Sequence, residues 1–346
     1  MANSVFSLDI GEKFIKATDI DKQKDKLIPL VATFGEYSSN PYINNADEIL
    51  HDTSVFISKL ITEAHFNKRE INIIIPDSQS YTRIFEMPLL TDKELISAVK
   101  YQADQFIPIP IEKVNLVVYT LIKDKKNNTS RILLVAAPTT VIDTAVRVAE
   151  GAALLPQSVE NETSATLRFL QIISALQKNK PSEPGVDIYV NFGYTSSSIY
   201  LMDIMTGFPV QVHNFPIGVD LFKRDIKASS TIDEKQIDDL FQQIGFTPQQ
   251  QGQDLNILLA SPLNEFISEF KRFLISSKDV IKGKIQRVYI YGEGSKIVGI
   301  DAKLTSLLGA QVLLFNPYSL FSQNQVTDFF KNEWQILVPT IGGALR

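Results

Sequence analysis

Two stretches of this chain share one construction, and that repetition constrains the fold more than any other feature. Residues 4–11 (SVFSLDIG) alternate apolar and polar positions, then present an acid, an apolar residue and a glycine. Residues 186–193 (VDIYVNFG) do the same with an asparagine in place of the acid. Each reads as a strand running into a tight turn, and each is followed by a second strand, over 14–20 and 197–203. Asn191 stands 182 positions after Asp9 (Asn191 minus Asp9), near the start of each half of a 346-residue chain. A duplicated opening of this kind predicts a pseudo-symmetric, two-lobed α/β fold in which each lobe begins with a glycine-turned hairpin.

A third glycine turn, Gly292-Glu293-Gly294-Ser295, follows the apolar strand expected over 287–291. Glycine turns let backbone N–H groups approach a phosphate, because no Cβ intervenes. An acid just before such a turn, as Asp9, suits a Mg²⁺-bound water, and a lysine just after it, as Lys16, suits a phosphate oxygen. Gly11, Gly193, Gly292 and Gly294, with Asp9, Lys13, Lys16 and Asn191, are therefore the candidate residues of a nucleotide cleft between lobes, with Asp9 the candidate metal residue. No other catalytic constellation is present. His51, His65 and His213 lack ligand spacing, and no Walker A, GxSxG or GxGxxG pattern occurs.

Composition narrows the partners. The net charge of −5 and the acid-interrupted basic cluster Lys22-Gln23-Lys24-Asp25-Lys26 argue against nucleic acid. The absence of cysteine removes disulfides, thiolate metal sites and thiol nucleophiles, and suits a reducing cytoplasm. No signal peptide and no run of about 20 apolar residues is expected, so membrane association is expected only through a partner.

Between the hairpins the pattern predicts a helix over 47–64, a β-branched strand over 71–76 and a strand over 81–86 broken at Met87-Pro88. A capping box at Thr91–Glu94 then opens a helix to about Phe106, stopped by Ile107-Pro108-Ile109-Pro110. Strands over 114–122 and 130–137 and helices over 141–151 and 161–178 follow. Residues 178–185 have linker composition. Further helices are expected over 231–245 and 262–282, then a helix to Leu308, a strand over 311–315 and a helical end from Ile341. The expected organisation is a first-lobe core of 1–80 and 138–183, an inserted subdomain of 81–137, and a second lobe of 184–346 with 211–286 as its smaller subdomain.

Leu8-Asp9-Ile10-Gly11 with Lys16 resembles the first phosphate hairpin of actin-like ATPases. Met87–Leu95, Tyr101-Gln102 and Phe106-Ile107-Pro108 resemble the inserted subdomain of the PilM branch of that superfamily. Leu133–Pro138, Val159-Glu160 through Ala165 and Arg168, Gln311–Pro317 and the ending Gly342-Gly343-Ala344-Leu345-Arg346 are similar to the same family, so the resemblance spans the chain. It implies an α/β, two-lobed actin-like ATPase (ribonuclease H-like) fold with a small inserted subdomain in the first lobe. It implies ATP with Mg²⁺ as the cofactor class.

It also implies a cytoplasmic scaffold of type IV pilus or related secretion machinery. Such a scaffold binds the N-terminal cytoplasmic peptide of a PilN-like inner-membrane protein in a groove between the first-lobe core and the inserted subdomain. Ile73, Ile75, Tyr81, Phe85, Leu95, Val99 and Phe106 are the candidate groove residues. Departures gather at the nucleotide turns. Glu12 and Lys13 stand where the family has small hydroxyl residues, Asn191 where it has aspartate, and Glu293 where it has glycine; helix 234–243 lacks the family's Glu and Lys pair. Together they argue for weak or absent ATP binding and against hydrolysis, with no catalytic residue assigned. A cell-division adaptor resembling FtsA and a sugar or acid kinase of the same fold are the competing readings, and self-association remains open.

Overall fold

Apolar residues at every second position of 5–10 place Phe6, Leu8 and Ile10 on one face of a strand, fully buried. The computed structural model describes residues 5–103, 106–177, 181–230, 232–247 and 254–346. Its first strand is β1 (Val5–Ile10), hairpin-linked to β2 (Phe14–Gln23), which turns through a left-handed Lys24 into β3 (Lys26–Glu36). Helix α1 (Asp47–Glu63), β4 (Glu70–Ile75), β5 (Tyr81–Pro88), α2 (Asp92–Ala103), β6 (Val114–Asp124) and β7 (Thr129–Pro138) follow. Then come α3 (Thr139–Gly151), β8 (Leu155–Asn161) and α4 (Glu162–Leu176). The second half runs β9 (Gly185–Phe192), β10 (Ser197–Asp203), β11 (Pro209–Phe215), α5 (Val219–Ser229), α6 (Glu234–Gln243), α7 (Leu255–Leu258) and α8 (Ala260–Ser276). It ends with β12 (Lys284–Tyr291), α9 (Ile300–Leu308), β13 (Val312–Leu314), α10 (Gln325–Phe329) and α11 (Val338–Ala344).

The chain divides into two units, Met1–Lys178 with Gly207–Pro209 and Pro317–Arg346, and Asn179–Thr206 with Val210–Asn316. Each contains a five-stranded sheet of the same design. In the first the order is β3-β2-β1-β4-β8, in the second β11-β10-β9-β12-β13. The hairpin pairs β1–β2 and β9–β10 are antiparallel, and β4 and β12 join them in parallel. The repeat holds residue by residue: Asp9 faces Lys16 across the first hairpin, and Asn191 faces Ser198 across the second. Two such sheets, each three hairpin-linked strands followed by two parallel crossovers, make the two-lobed actin-like (ribonuclease H-like) architecture.

In the first unit, Ile71, Ile73 and Ile75 of β4 join Phe6, Leu8 and Ile10 against Ile57 and Ile61 of α1 and Ala145 and Val148 of α3. The second unit buries Ile188, Val190 and Phe192 of β9 with Phe222 of α5, Phe266 and Phe270 of α8 and Leu304 of α9. The inserted subdomain has its own three-stranded sheet, β5-β7-β6, whose Met87, Ile132 and Leu134 pack on Leu95 and Val99 of α2.

Several expectations are corrected. Residues 317–346 belong to the first unit, because α11, buried along its whole length, packs on α4, β1, β2 and β4. The second unit therefore stops at Asn316. Residues 211–215 and 284–286 are sheet strands, so the smaller subdomain of the second lobe cannot span 211–286 as expected; among the described residues only helices and turns lie between those strands. β3 and β8 were not expected: Pro29 and Gly35 interrupt the alternation of β3, and Pro156 that of β8, and both are edge strands, where proline is tolerated. For the same reason β5 runs through Met87-Pro88 rather than breaking there. Helix α8 ends at Ser276, short of 282. The expected helix end near Phe106 and the linker at 178–180 fall at or beside residues outside those described.

Candidate functional site

The C-terminal ends of β1, β4 and β8 form one rim of the first sheet, where open α/β sheets place their ligands. Asp9, at the end of β1, is fully buried, and its Oδ2 lies 3.7 Å from Lys16 Nζ. The turn between them closes with Gly11 N–H donating to the Phe14 carbonyl at 3.1 Å. A Cβ on Gly11 would come within 2.5 Å of that carbonyl oxygen, so the turn needs glycine.

Two acids that sequence reasoning missed stand beside Asp9. After β4, Pro76 leads into a single 3-10 turn, and Asp77 of that turn is buried. Its carboxylate accepts from Thr163 N–H (3.0 Å), Thr163 Oγ1 (2.7 Å) and Asn161 Nδ2 (3.0 Å) at the start of α4. Glu162, the first residue of α4, accepts from Asp77 N–H through Oε2 at 3.2 Å. Burial first, then the charges of Asp9 and Asp77, push the Glu162 carboxyl well above its ordinary value; Lys16 and the Asp77 N–H pull the other way. Tyr42 donates to the Ile10 carbonyl at 2.8 Å, and its hydroxyl is likewise pushed far up by burial and by Asp9, Glu12 and Glu162. The signal for the missed acids was local: an acid directly after Ile75-Pro76, and an acid in the first turn after the N-capping Asn161, which accepts from Ser164 N–H.

The sign of the Glu162 shift makes a prediction. A carboxyl raised in the folded state stabilises the fold fully below its ordinary value near 4.5, and that stability is lost as pH rises through the raised value. Glu162→Gln stays neutral throughout. Its urea midpoint, compared with that of the parent chain at pH 5 and pH 8, is expected to gain with rising pH, by up to about 1.4 kcal/mol per pH unit. A difference independent of pH would show that Glu162 is ionised in the fold.

The remaining predicted residues separate. Lys13 pairs with Glu36 at 2.8 Å, and Glu12 accepts from Gln79 Nε2 at 2.8 Å. In the second unit, Asn191 is buried, with its Oδ1 against Gly292, whose φ of 87° and lack of Cβ accommodate it. A Cβ on Gly193 would meet the Ser196 carbonyl at 2.6 Å, repeating the geometry of Gly11. Thus the turns after β9 and β12 lie side by side. The Glu293 carboxylate, however, lies 3.9 Å from where a Cβ of Gly193 would sit. A carboxylate at that turn opposes a polyphosphate, and the neutral Asn191 adds no charge for a metal water. Asn191 and Glu293 at the second unit's turns supply no charge that favours a magnesium nucleotide, while in the first hairpin Asp9 faces Lys16. Among the described residues no set of three or more His, Asp or Glu is placed to hold a metal ion.

The candidate groove residues divide too. Ile73 and Ile75 lie in the first-unit core, and Leu95 and Val99 in the core under α2, all buried. They hold the fold and offer no surface. Tyr81, Phe85 and Phe106 are half-buried, and the exposed Arg83 guanidinium sits 5.2 Å from the Phe106 ring centroid.

Duplicated sheets, two glycine-turned hairpins and an inserted subdomain define a protein of the actin-like ATPase fold. A family model described as type IV pilus assembly protein PilM matches residues 7–346. The chain belongs to the PilM family. A chain of the solved PilM–PilN type IV pilus biogenesis complex superposes with a TM-score of 0.84 at 20% identity, covering 99% of this chain and 98% of that one. The ethanolamine utilization protein EutJ from Carboxydothermus hydrogenoformans gives 0.54 at 12% identity, covering 98% and 88%. No curated protein sequence matches the chain.

Proposed function

We propose that this chain is a cytoplasmic scaffold of a type IV pilus or related secretion machine. It binds the N-terminal cytoplasmic peptide of a PilN-like inner-membrane protein, with at most weak ATP binding and no turnover. Family membership over nearly the whole chain carries the reading, and it is supported by a fold shared over 99% of this chain with a chain of a solved PilM–PilN complex. No helix among the described residues is long and apolar enough to cross a membrane, so in this reading the partner's peptide holds the scaffold at the membrane's inner face. The partly exposed rings of Tyr81, Phe85 and Phe106, with Arg83 beside Phe106, are the proposed contact surface.

Asp9 and Lys16 keep the form of a phosphate hairpin, and Asp9 would be the residue to hold a Mg²⁺ water. Glu293 and Asn191 argue against hydrolysis. Calorimetric titration with a synthetic PilN-type N-terminal peptide tests the whole reading. Micromolar binding, weakened about tenfold or more by Arg83→Glu or Phe106→Ala and little changed by ATP with Mg²⁺, is expected. No binding by a folded chain, or robust ATP turnover, would overturn it.

A further inference from the structure

The chain carries a net charge of −5, yet residues 271–287 (KRFLISSKDVIKGKIQR) hold six basic residues and one acid, Asp279. The stretch runs from the end of α8 into the start of β12. β9 and β12 are parallel and begin together, Lys284 beside Gly185. The turn after β10 lies at the same end, where Ile204 N–H donates to the Gly185 carbonyl at 3.1 Å. This is the rim of the second sheet opposite Gly193 and Gly292, which follow the other ends of β9 and β12. Two of the six cations are taken up: Arg272 pairs with Glu269 at 2.7 Å and Arg287 with Asp187 at 2.6 Å. Lys271, Lys278, Lys282 and Lys284 are exposed and make no ion pair among the described residues. Of the acids at this end, Asp203 is held by its own turn, accepting from Met205 N–H at 2.8 Å and Thr206 N–H at 3.0 Å. Asp279 and Glu183 remain against the four lysines.

Apolar side chains stand among these lysines. Ile275, 76% exposed, follows Lys271 by one helical turn, and Lys278 N–H donates back to the Ile275 carbonyl at 3.3 Å. Gly283, with a φ of 86° and packed against the Pro184 carbonyl, sets Lys282 and Lys284 on either side of the turn into β12. Ile285 and Met205 are 39% and 40% exposed at the same end. We propose that this rim contacts the anionic headgroups of a lipid bilayer directly, in addition to the tether a membrane partner provides. A lysine held at an anionic leaflet strengthens attachment about fivefold, and exposed isoleucine and methionine between lysines suit shallow insertion at the headgroup boundary. On a nucleic-acid backbone those apolar side chains would have no role. Lysine ammoniums are flexible point charges, which suit mobile headgroups better than the fixed carboxylates of an acidic protein. Two carboxylates beside four lysines make the contact weak by itself. It counts once a tether concentrates the chain at the bilayer, and in that respect it rests on the reading proposed above.

The test uses the full chain and no partner. At low salt it is expected to sediment with vesicles of equimolar phosphatidylglycerol and phosphatidylcholine, and not with vesicles of phosphatidylcholine alone. The double variant Lys278→Glu, Lys282→Glu, at exposed positions, is expected to lose at least tenfold in vesicle affinity while keeping its urea midpoint and its affinity for a PilN-type peptide. Insertion is read separately. Trp334 is the sole tryptophan and is fully buried, so the new ring of Ile275→Trp should shift its emission to the blue on anionic vesicles. No sedimentation with anionic vesicles, equal sedimentation with both kinds, a double variant that binds as the parent does, or an unshifted emission would each overturn the proposal. Vesicle binding without peptide binding would uphold it and count against the pilus reading alone.

Discussion

Replacing Gly342 by alanine is expected to destabilise the first unit by about 2 kcal/mol or more, although alanine in a helix ordinarily gains about 1 kcal/mol over glycine. The reason is where α11 lies. A Cβ on Gly342 would be driven into the backbone carbonyl of Ala165 in α4, a rigid element that cannot rotate away as a side chain could. On the same face Arg168 Nη1 donates to the Gly342 carbonyl at 2.9 Å, and Asn72 Nδ2 donates to the Gly343 carbonyl at 3.0 Å. Lifting α11 by even a fraction of an ångström therefore loosens hydrogen bonds as well as seven buried residues. Gly309→Ala is the control: its φ of 67° imposes backbone strain, but nothing lies within 4 Å of its Cβ, so a loss of about 1 kcal/mol is expected. Urea midpoints of the two variants check the prediction. A loss for Gly342→Ala no larger than that for Gly309→Ala would show that the approach of α11 to α4 does not set the cost.

The terminal Gly-Gly-Ala-Leu-Arg motif was legible as a family mark, while its place in the first lobe was not. Chain order suggests that a C-terminal segment belongs to the second lobe. Only the contacts of small residues with β1, β4 and α4 reveal the return, and periodicity carries no information on which sheet a buried helix covers. The duplicated hairpins were legible because alternation followed by glycine is a local pattern, and the register confirms their equivalence, Asp9 with Lys16 and Asn191 with Ser198. Asp77 and Glu162 were missed because they are 85 residues apart and meet only through the parallel pairing of β4 with β8. The groove candidates erred for the opposite reason. A β-branched run such as Ile71–Ile75 reads the same whether its faces are covered by the chain's own helices or by a partner, and here the chain covers them.

Asp77→Ala is expected to cost about 3 kcal/mol, and Asp77→Asn less than half of that. The alanine takes the acceptor from Thr163 N–H and Thr163 Oγ1 at a buried position and removes one of the three acceptors of Asn161 Nδ2, and each group left unsatisfied costs about 1–3 kcal/mol before any water relieves it. Asparagine retains a carbonyl oxygen for Thr163 N–H and Asn161, and the Thr163 hydroxyl can turn to accept from its amide. What asparagine loses is the negative charge at the N-terminus of α4, about 0.5 kcal/mol. Part of that loss returns, because removing the charge makes ionisation of Glu162 less unfavourable. The pH dependence separates the two roles of Asp77. As pH rises through the raised Glu162 value, the asparagine variant should lose less stability than the parent chain, since less repulsion meets the second carboxylate. Asn161 extends the consequence further, for its Nδ2 also donates to Ser80 Oγ at 3.0 Å and to Thr82 Oγ1 at 2.7 Å, at the base of β5. The acid that sets the Glu162 environment thus also anchors the strand carrying Arg83 and Phe85. Loss of its hydrogen bonds by Asp77→Ala, but not loss of its charge by Asp77→Asn, should weaken binding of a PilN-type peptide in calorimetry. Equal affinity in both variants would show that β5 is held independently of the acid cluster.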